Sequence, residues 1–236
     1  MNINIIFSLL LAHVIGDFYC QTDVSCKGKR EKHLRSKGLY LHSVVIALLS
    51  WLMAFSGAFW WCFLLLLVSH IIIDLFKSYL NDGLHVFLLD QVLHFAVIVL
   101  IATLYTDTGS FGLLCGLKVR GFSLLVLLLA VLLLFKPTNI LIKLILERCK
   151  IQATNDGTSQ QQAHAGALIG NLERLLTLCF VIIGQYEAIG FVIAAKSLLR
   201  FKDSDTTKTE YVLAGTLLSF GSAVFVGLLL LIYHNA

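Results

Sequence analysis

Seven ionisable side chains interrupt the apolar first hundred residues: His13, Asp17, His42, His70, Asp74, Asp90 and His94. Six of them fall in i, i+4 pairs, His13 with Asp17, His70 with Asp74 and Asp90 with His94, which on a helix sets an imidazole beside a carboxylate on one face. Such a group inside a membrane span costs about 2.5–3.5 kcal/mol on insertion scales, which makes each a candidate for function. Four imidazoles and three carboxylates form the nitrogen and oxygen donor set of a divalent ion such as Zn, Mn, Fe or Ni, and they suffice for one ion or two. Asp17, Asp74 and Asp90 are then also the candidates for a catalytic general base acting on water. The structural alternative is that these groups only hydrogen-bond between helices. One pair alone would fit that alternative; three pairs and His42 point to a metal.

The elements that must position these residues follow from composition. Hydrophobic residues make up 58% of the 236 positions and charged residues 14%, the balance of an integral membrane protein. Only helices and closed barrels satisfy their backbone in lipid, so the expected fold is an all-α polytopic transmembrane bundle of about seven or eight spans. The hydropathy pattern places helices near 3–22, 39–55, 58–80, 85–106, 121–136, 165–185, 188–200 and 210–233. The first reads as a retained helix: it lacks a basic leading region, and His13 and Asp17 break its apolar run. The six cysteines are scattered without a CxxC pair and are expected to be unpaired.

Orientation comes from "CKGKREKHLRSK", residues 26–37, read as a cytoplasmic loop because it carries six Lys and Arg residues against Glu31. Alternation then puts Lys77, Lys136 to Lys150 and Arg200 to Lys208 inside as well, with Lys118 and Arg120 the exception. Both termini fall outside, and all seven ionisable residues converge on the cytoplasmic half. The basic excess thus speaks to topology and makes no case for nucleic acid.

Three segments are expected: 1–106, a four-helix bundle with the metal site; 107–164, a fifth span, an interfacial amphipathic helix over 137–150 and a polar loop; and 165–236, the C-terminal helices. The last segment carries Glu173, Arg174, Lys196, Arg200 and Glu210. Its three cations suit an anionic substrate group such as a phosphate, with the two glutamates fixing their geometry; ion pairing between helices explains the same residues. Gly166 and Gly170 form a GxxxG that predicts close helix packing. His33, His85, His164 and His234 read as solvated.

The stretches "LLLAHVIGDFYCQTD", "LHS", "SHIIIDLFKSYL" and "LLDQVLH" resemble an uncharacterised bacterial family of polytopic membrane proteins, domain-of-unknown-function family 3307, over about the first hundred residues. Two of the pieces are also similar to membrane-bound metal-dependent hydrolases, in which a helix-borne His-Ser and a later sHxxxD followed by Gly recur. That resemblance implies roles for His42 with Ser43, for His70 and Asp74, and for Gly83 in the turn. The expectation is a multi-pass protein of the bacterial inner membrane, among membrane lipids, whose cytoplasm-facing centre of one or two divalent ions hydrolyses a phosphoester or lipid headgroup. No HExxH is present for a zinc protease. A divalent-metal or proton-coupled transporter is the alternative; it would need polar groups through the outer halves, where Ser8, Ser50, Thr103, Ser123 and Ser222 are scattered. A non-catalytic assembly or regulatory protein is the third reading.

Overall fold

The computed structural model describes residues 3–54, 60–105, 114, 116–119, 121–150, 160–198 and 206–235, and of 160–165 and 206–209 the backbone only. The chain divides into two compact units, Met1–Leu132 and Leu133–Ala236.

In the first unit, α1 (Ile3–Val14) runs on into a π-helical turn (Ile15–Cys20). There follow α2 (Asp23–Lys32), a 3₁₀ turn (His33–Arg35), α3 (Lys37–Ala54), α4 (Trp60–Ser78) and α5 (Leu84–Leu104). Helix α1 packs on α3 and α5, α3 packs on α4, and α4 packs on α5, so the four close a ring. One end of the ring is filled by Ile5, Leu9, Cys62, Leu66, Ile98 and Ile101. That apolar plug confines the polar side chains to the other end.

The stretch expected as a basic loop is instead largely helical. Thr22 caps α2, its Oγ1 accepting from the Ser25 amide at 3.3 Å, which satisfies one amide at the helix start. A Cβ on Gly38 would lie 2.7 Å from Ser25 Oγ, so the absent side chain lets α2 fold tightly against the start of α3. Beyond α5, β1 (Lys118–Val119) and β2 (Phe122–Ser123) form a small antiparallel hairpin that leads into α6 (Leu124–Leu134), the one departure from all-α among the described residues.

The second unit comprises α7 (Lys136–Arg148), α8 (Gln160–Ile182), α9 (Tyr186–Leu198) and α10 (Thr206–Asn235). Pro137 in the first turn of α7 accompanies a break at Phe135. Helix α7 buries Pro137, Thr138 and Leu146 and packs along α10. Helix α8 lies against α10, where a Cβ on Gly227 would sit 2.7 Å from Val181 Cγ1. The expected GxxxG contact is not the one formed: Gly166 faces open space and Gly170 leaves room for the Arg174 guanidinium.

Among the described residues, six helical stretches are long and apolar enough to cross a bilayer: Ile3–Cys20, Lys37–Ala54, Trp60–Ser78, Leu84–Leu104, Leu124–Arg148 and Glu210–Asn235. This is compatible with a multi-pass membrane protein, with fewer candidate spans than the seven or eight expected. Helix α9, at 13 residues, rises only about 20 Å against a hydrocarbon core of about 30 Å, and α8 opens on the polar run "QQQAH".

Candidate functional site

The π-helical turn builds the first wall of the site. Its amides bond five residues back, so the turn accommodates an extra residue, a form often met at functional positions; here it carries Gly16 and Asp17. A Cβ on Gly16 would lie 2.3 Å from Ile46 Cγ1, so only glycine lets α3 approach so closely. One turn before Ile46 stands His42, and this approach sets its Nε2 3.0 Å from Asp17 Oδ1. Phe18 packs edge-on against Phe87, tying the same turn to α5.

Helices α4 and α5 supply the opposite walls. His70 Nε2 lies 3.5 Å from Asp17 Oδ1, and His13 Nε2 lies 3.7 Å from Asp17 Oδ2. The imidazoles of His42 and His70, of His70 and His94, and of His94 and His13 follow one another at 5.0, 4.3 and 4.7 Å between centroids. The four histidines, Asp74 and Asp90 are buried, and the Asp17 side chain is nearly so. The structure therefore assembles the residues singled out on four different helices into one cluster.

Three overlapping groups have donor atoms within 4.8 Å of one another: His13, His70 and His94; Asp17, His42 and His70; and Asp17, Asp90 and His94. Two ligands held by one ion at about 2.0–2.6 Å are at most about 4–5 Å apart, so this spacing suits a metal. Asp74 joins none of the three groups. Its Oδ2 is 3.9 Å from His42 Nε2 and 3.8 Å from His70 Nε2, and it pairs with a lysine.

Two lysines absent from the sequence-based set complete the cluster. Lys29, buried on α2, binds Asp74, and Lys77 Nζ lies 2.6 Å from Asp90 Oδ2, which also accepts from Gln91 at 3.1 Å. Helix α2 is thereby a cap, held further by Arg30 on Asp82 and by the 3₁₀ turn: His33 Nδ1 lies 2.8 Å from Ser78 Oγ with its ring stacked 4.1 Å from Tyr79. His33 is thus not the solvated residue expected. The Thr22-Asp23 start signal could have located α2, with Lys29, Arg30 and Lys32 in its last turn.

Two observations bear on what the cluster can hold. First, Asp74 and Asp90 each have an ammonium partner, whereas among the described residues the ion-pair contacts of Asp17 are with His13, His42 and His70 alone. With neutral imidazoles, three carboxylates and two lysines leave one net negative charge, buried. Second, the Nε2 atoms of His13, His70 and His94, and Asp90 Oδ1, are buried without a hydrogen-bond partner, against the rule for such atoms. His94 Nδ1 lies 2.9 Å from the Asp90 carbonyl, which can only accept, so Nδ1 carries the proton and the Nε2 lone pair is free. The three histidines also line a small cavity with Ser50, Ser69 and the apolar Leu9, Ile46, Leu66 and Ile98. Ser43, implied by the hydrolase resemblance, instead donates to the Leu39 carbonyl at 2.9 Å.

The described residues of the second expected set do not gather into one site. Glu173 pairs with Lys196 at 2.6 Å, Glu210 is exposed, and Arg200 lies outside the described residues. Arg174 is buried and donates to the Leu134 carbonyl at 2.5 Å, Ser219 Oγ at 2.8 Å, Asn139 Oδ1 at 2.5 Å and Asn171 Oδ1 at 2.6 Å. With Thr138 donating to the Leu133 carbonyl at 2.7 Å, it satisfies backbone oxygens at the break before α7. Its donors are turned inward, to hold the helix break.

Comparison with known proteins returns one family. Residues 5–114 match the family described as "Protein of unknown function (DUF3307)", so this part of the chain is similar to that family. The match contains all seven candidate donors and both lysines. No curated protein and no solved structure matches the chain. The similarity to metal-dependent hydrolases finds no support in these comparisons.

Proposed function

We propose that this domain of unknown function is a divalent-metal centre inside a membrane bundle, and that it serves hydrolysis of an anionic substrate at the cytoplasmic face. The observation that carries the reading is Asp17, a buried carboxylate ringed by imidazoles, beside three orphaned Nε2 atoms. Burying an uncompensated charge is costly, and a bound cation removes both the charge imbalance and the orphaned lone pairs. His13, His70 and His94 would be the nitrogen ligands, with Asp17, Asp90 and His42 at reach. A metal in such a site lowers the pKa of bound water and polarises an ester oxygen. Of this chain's own residues, Asp17 or Asp90 would take up the proton released, Lys77 fixes one oxygen of Asp90, and Lys29 pairs with Asp74 beside the donors. The basic residues of α2, packed at this end of the bundle, support its cytoplasmic placement.

The test is metal content. Protein purified in mild detergent, without added chelator, should carry a stoichiometric divalent ion by mass spectrometry, and His70→Ala and Asp90→Ala should lose it. An ion-free wild type, or two variants that keep the ion, would refute the reading. With metal present, turnover of phosphodiester and phosphomonoester reporters supports the enzyme. Metal uptake into proteoliposomes without turnover would replace hydrolysis by transport.

A further inference from the structure

We infer that the substrate of this centre is an anionic lipid that arrives sideways from the bilayer, through a crevice between α4 and α5; the inference rests on the metal-centre reading. The crevice is walled by Ile73, Phe76, Leu80, Val86, Leu89 and Leu93, and the Lys77–Asp90 ion pair is its polar part. Both helices are among those long and apolar enough to cross a membrane, and Phe76 and Leu89 are exposed on this wall, which the proposed placement turns toward the bilayer. An apolar crevice with an ammonium among its lining groups suits an acyl chain that ends at an anionic headgroup.

The polar end has capacity to spare. Lys77 has three donors, of which Asp90 takes one, and its side chain is 35% exposed, so a headgroup phosphate can take another. Asp90 joins this lysine to the metal donors: Oδ2 holds Lys77, while Oδ1 is unpartnered and 3.6 Å from His94 Nδ1. A phosphate held by Lys77 is therefore one side chain away from the donor cluster. Of the cations first assigned to substrate, Arg174 and Lys196 are bound within the second unit.

The experiment is native mass spectrometry of the metal-loaded protein, titrated with dioleoyl phosphatidic acid, dioleoyl phosphatidylcholine or inorganic phosphate, with bound metal counted in the same spectra. Phosphatidic acid should bind at least about tenfold better than phosphatidylcholine, and inorganic phosphate should not bind in the same range. Lys77→Gln should lose about tenfold or more of the phosphatidic acid affinity, the worth of one charge-assisted hydrogen bond, and Lys77→Arg should restore it. Leu89→Trp, which fills the crevice, should weaken both lipids and leave the metal count unchanged. Equal binding of the two lipids, free phosphate binding as well as phosphatidic acid, or a Leu89→Trp variant with unaltered lipid affinity would overturn the inference. Should Lys77→Gln misfold, the arginine and tryptophan variants still decide it. Absence of metal would instead strike the centre itself, so the two failures are distinguishable.

Discussion

Replacing Asp17 by Asn keeps the size of the side chain and removes its charge, and the metal and hydrogen-bond readings of the cluster then diverge in sign. A unit charge pair at about 4 Å interacts by about 4 kcal/mol at an effective dielectric of 20. Asp17 stands at 3.0–3.7 Å from three imidazoles, so an ion among them would be at comparable range. Loss of the charge should therefore weaken a divalent ion by at least about three decades in Kd, at about 1.4 kcal/mol per decade. The metal-free protein, relieved of a buried carboxylate that has no lysine or arginine partner, should keep or gain stability. The assay is thermal unfolding in detergent, with chelator and then across a metal titration. Wild type should gain about 4 kcal/mol at a metal concentration 1,000 times Kd, and Asp17→Asn should show almost no gain there while unfolding no earlier in chelator. If the variant keeps the metal-dependent gain, or unfolds earlier by the 1–3 kcal/mol of a lost buried hydrogen bond regardless of metal, the metal argument fails.

Other expectations follow from the same geometry. Gly16→Ala should destabilise the first unit by about 1–3 kcal/mol, the cost of overpacking, because the methyl meets Ile46 Cγ1 at 2.3 Å; adding Ile46→Ala should recover part of the loss in a double-mutant cycle. Arg174→Met should lower the unfolding midpoint sharply, by about 3 kcal/mol or more for several lost charge-assisted hydrogen bonds, while bound metal per folded molecule stays unchanged. A wild-type-like midpoint would contradict the role assigned to it at the helix break. With Cys26 as the sole remaining cysteine, a membrane-impermeant maleimide should label it from the cytoplasmic side in oriented vesicles. Labelling from the opposite side would invert the proposed placement.

The histidines and aspartates of the site were legible because polar residues stand out in an apolar run and their four-residue spacing is helical. Their meeting was legible only through charge bias in the connections, which put all seven at one end. Lys29 and Lys77 were hidden by that same rule: a lysine that folds back onto a buried carboxylate has the same sequence signature as one that marks a cytoplasmic loop. The pairing of Asp74 with Lys29, 45 positions earlier, could not be read, because spacing reports only the face on which Asp74 stands. The π-helical turn leaves no trace beyond a glycine before an aspartate. Arg174 read as a substrate cation because the carbonyls it serves exist only once α6 breaks ahead of Pro137.

All seven candidate donors lie between His13 and His94, on four of the first helices to emerge during synthesis. Lys29 precedes its partner Asp74, so until α4 enters the bilayer this lysine stays at the surface, and the donor set lacks its last imidazole until α5 has followed. The donor set of the proposed centre is therefore complete only once α5 has joined the bundle, and it draws on the first unit alone. In the proposed centre an ion would fasten the first helix to the fifth, through His13 and His94.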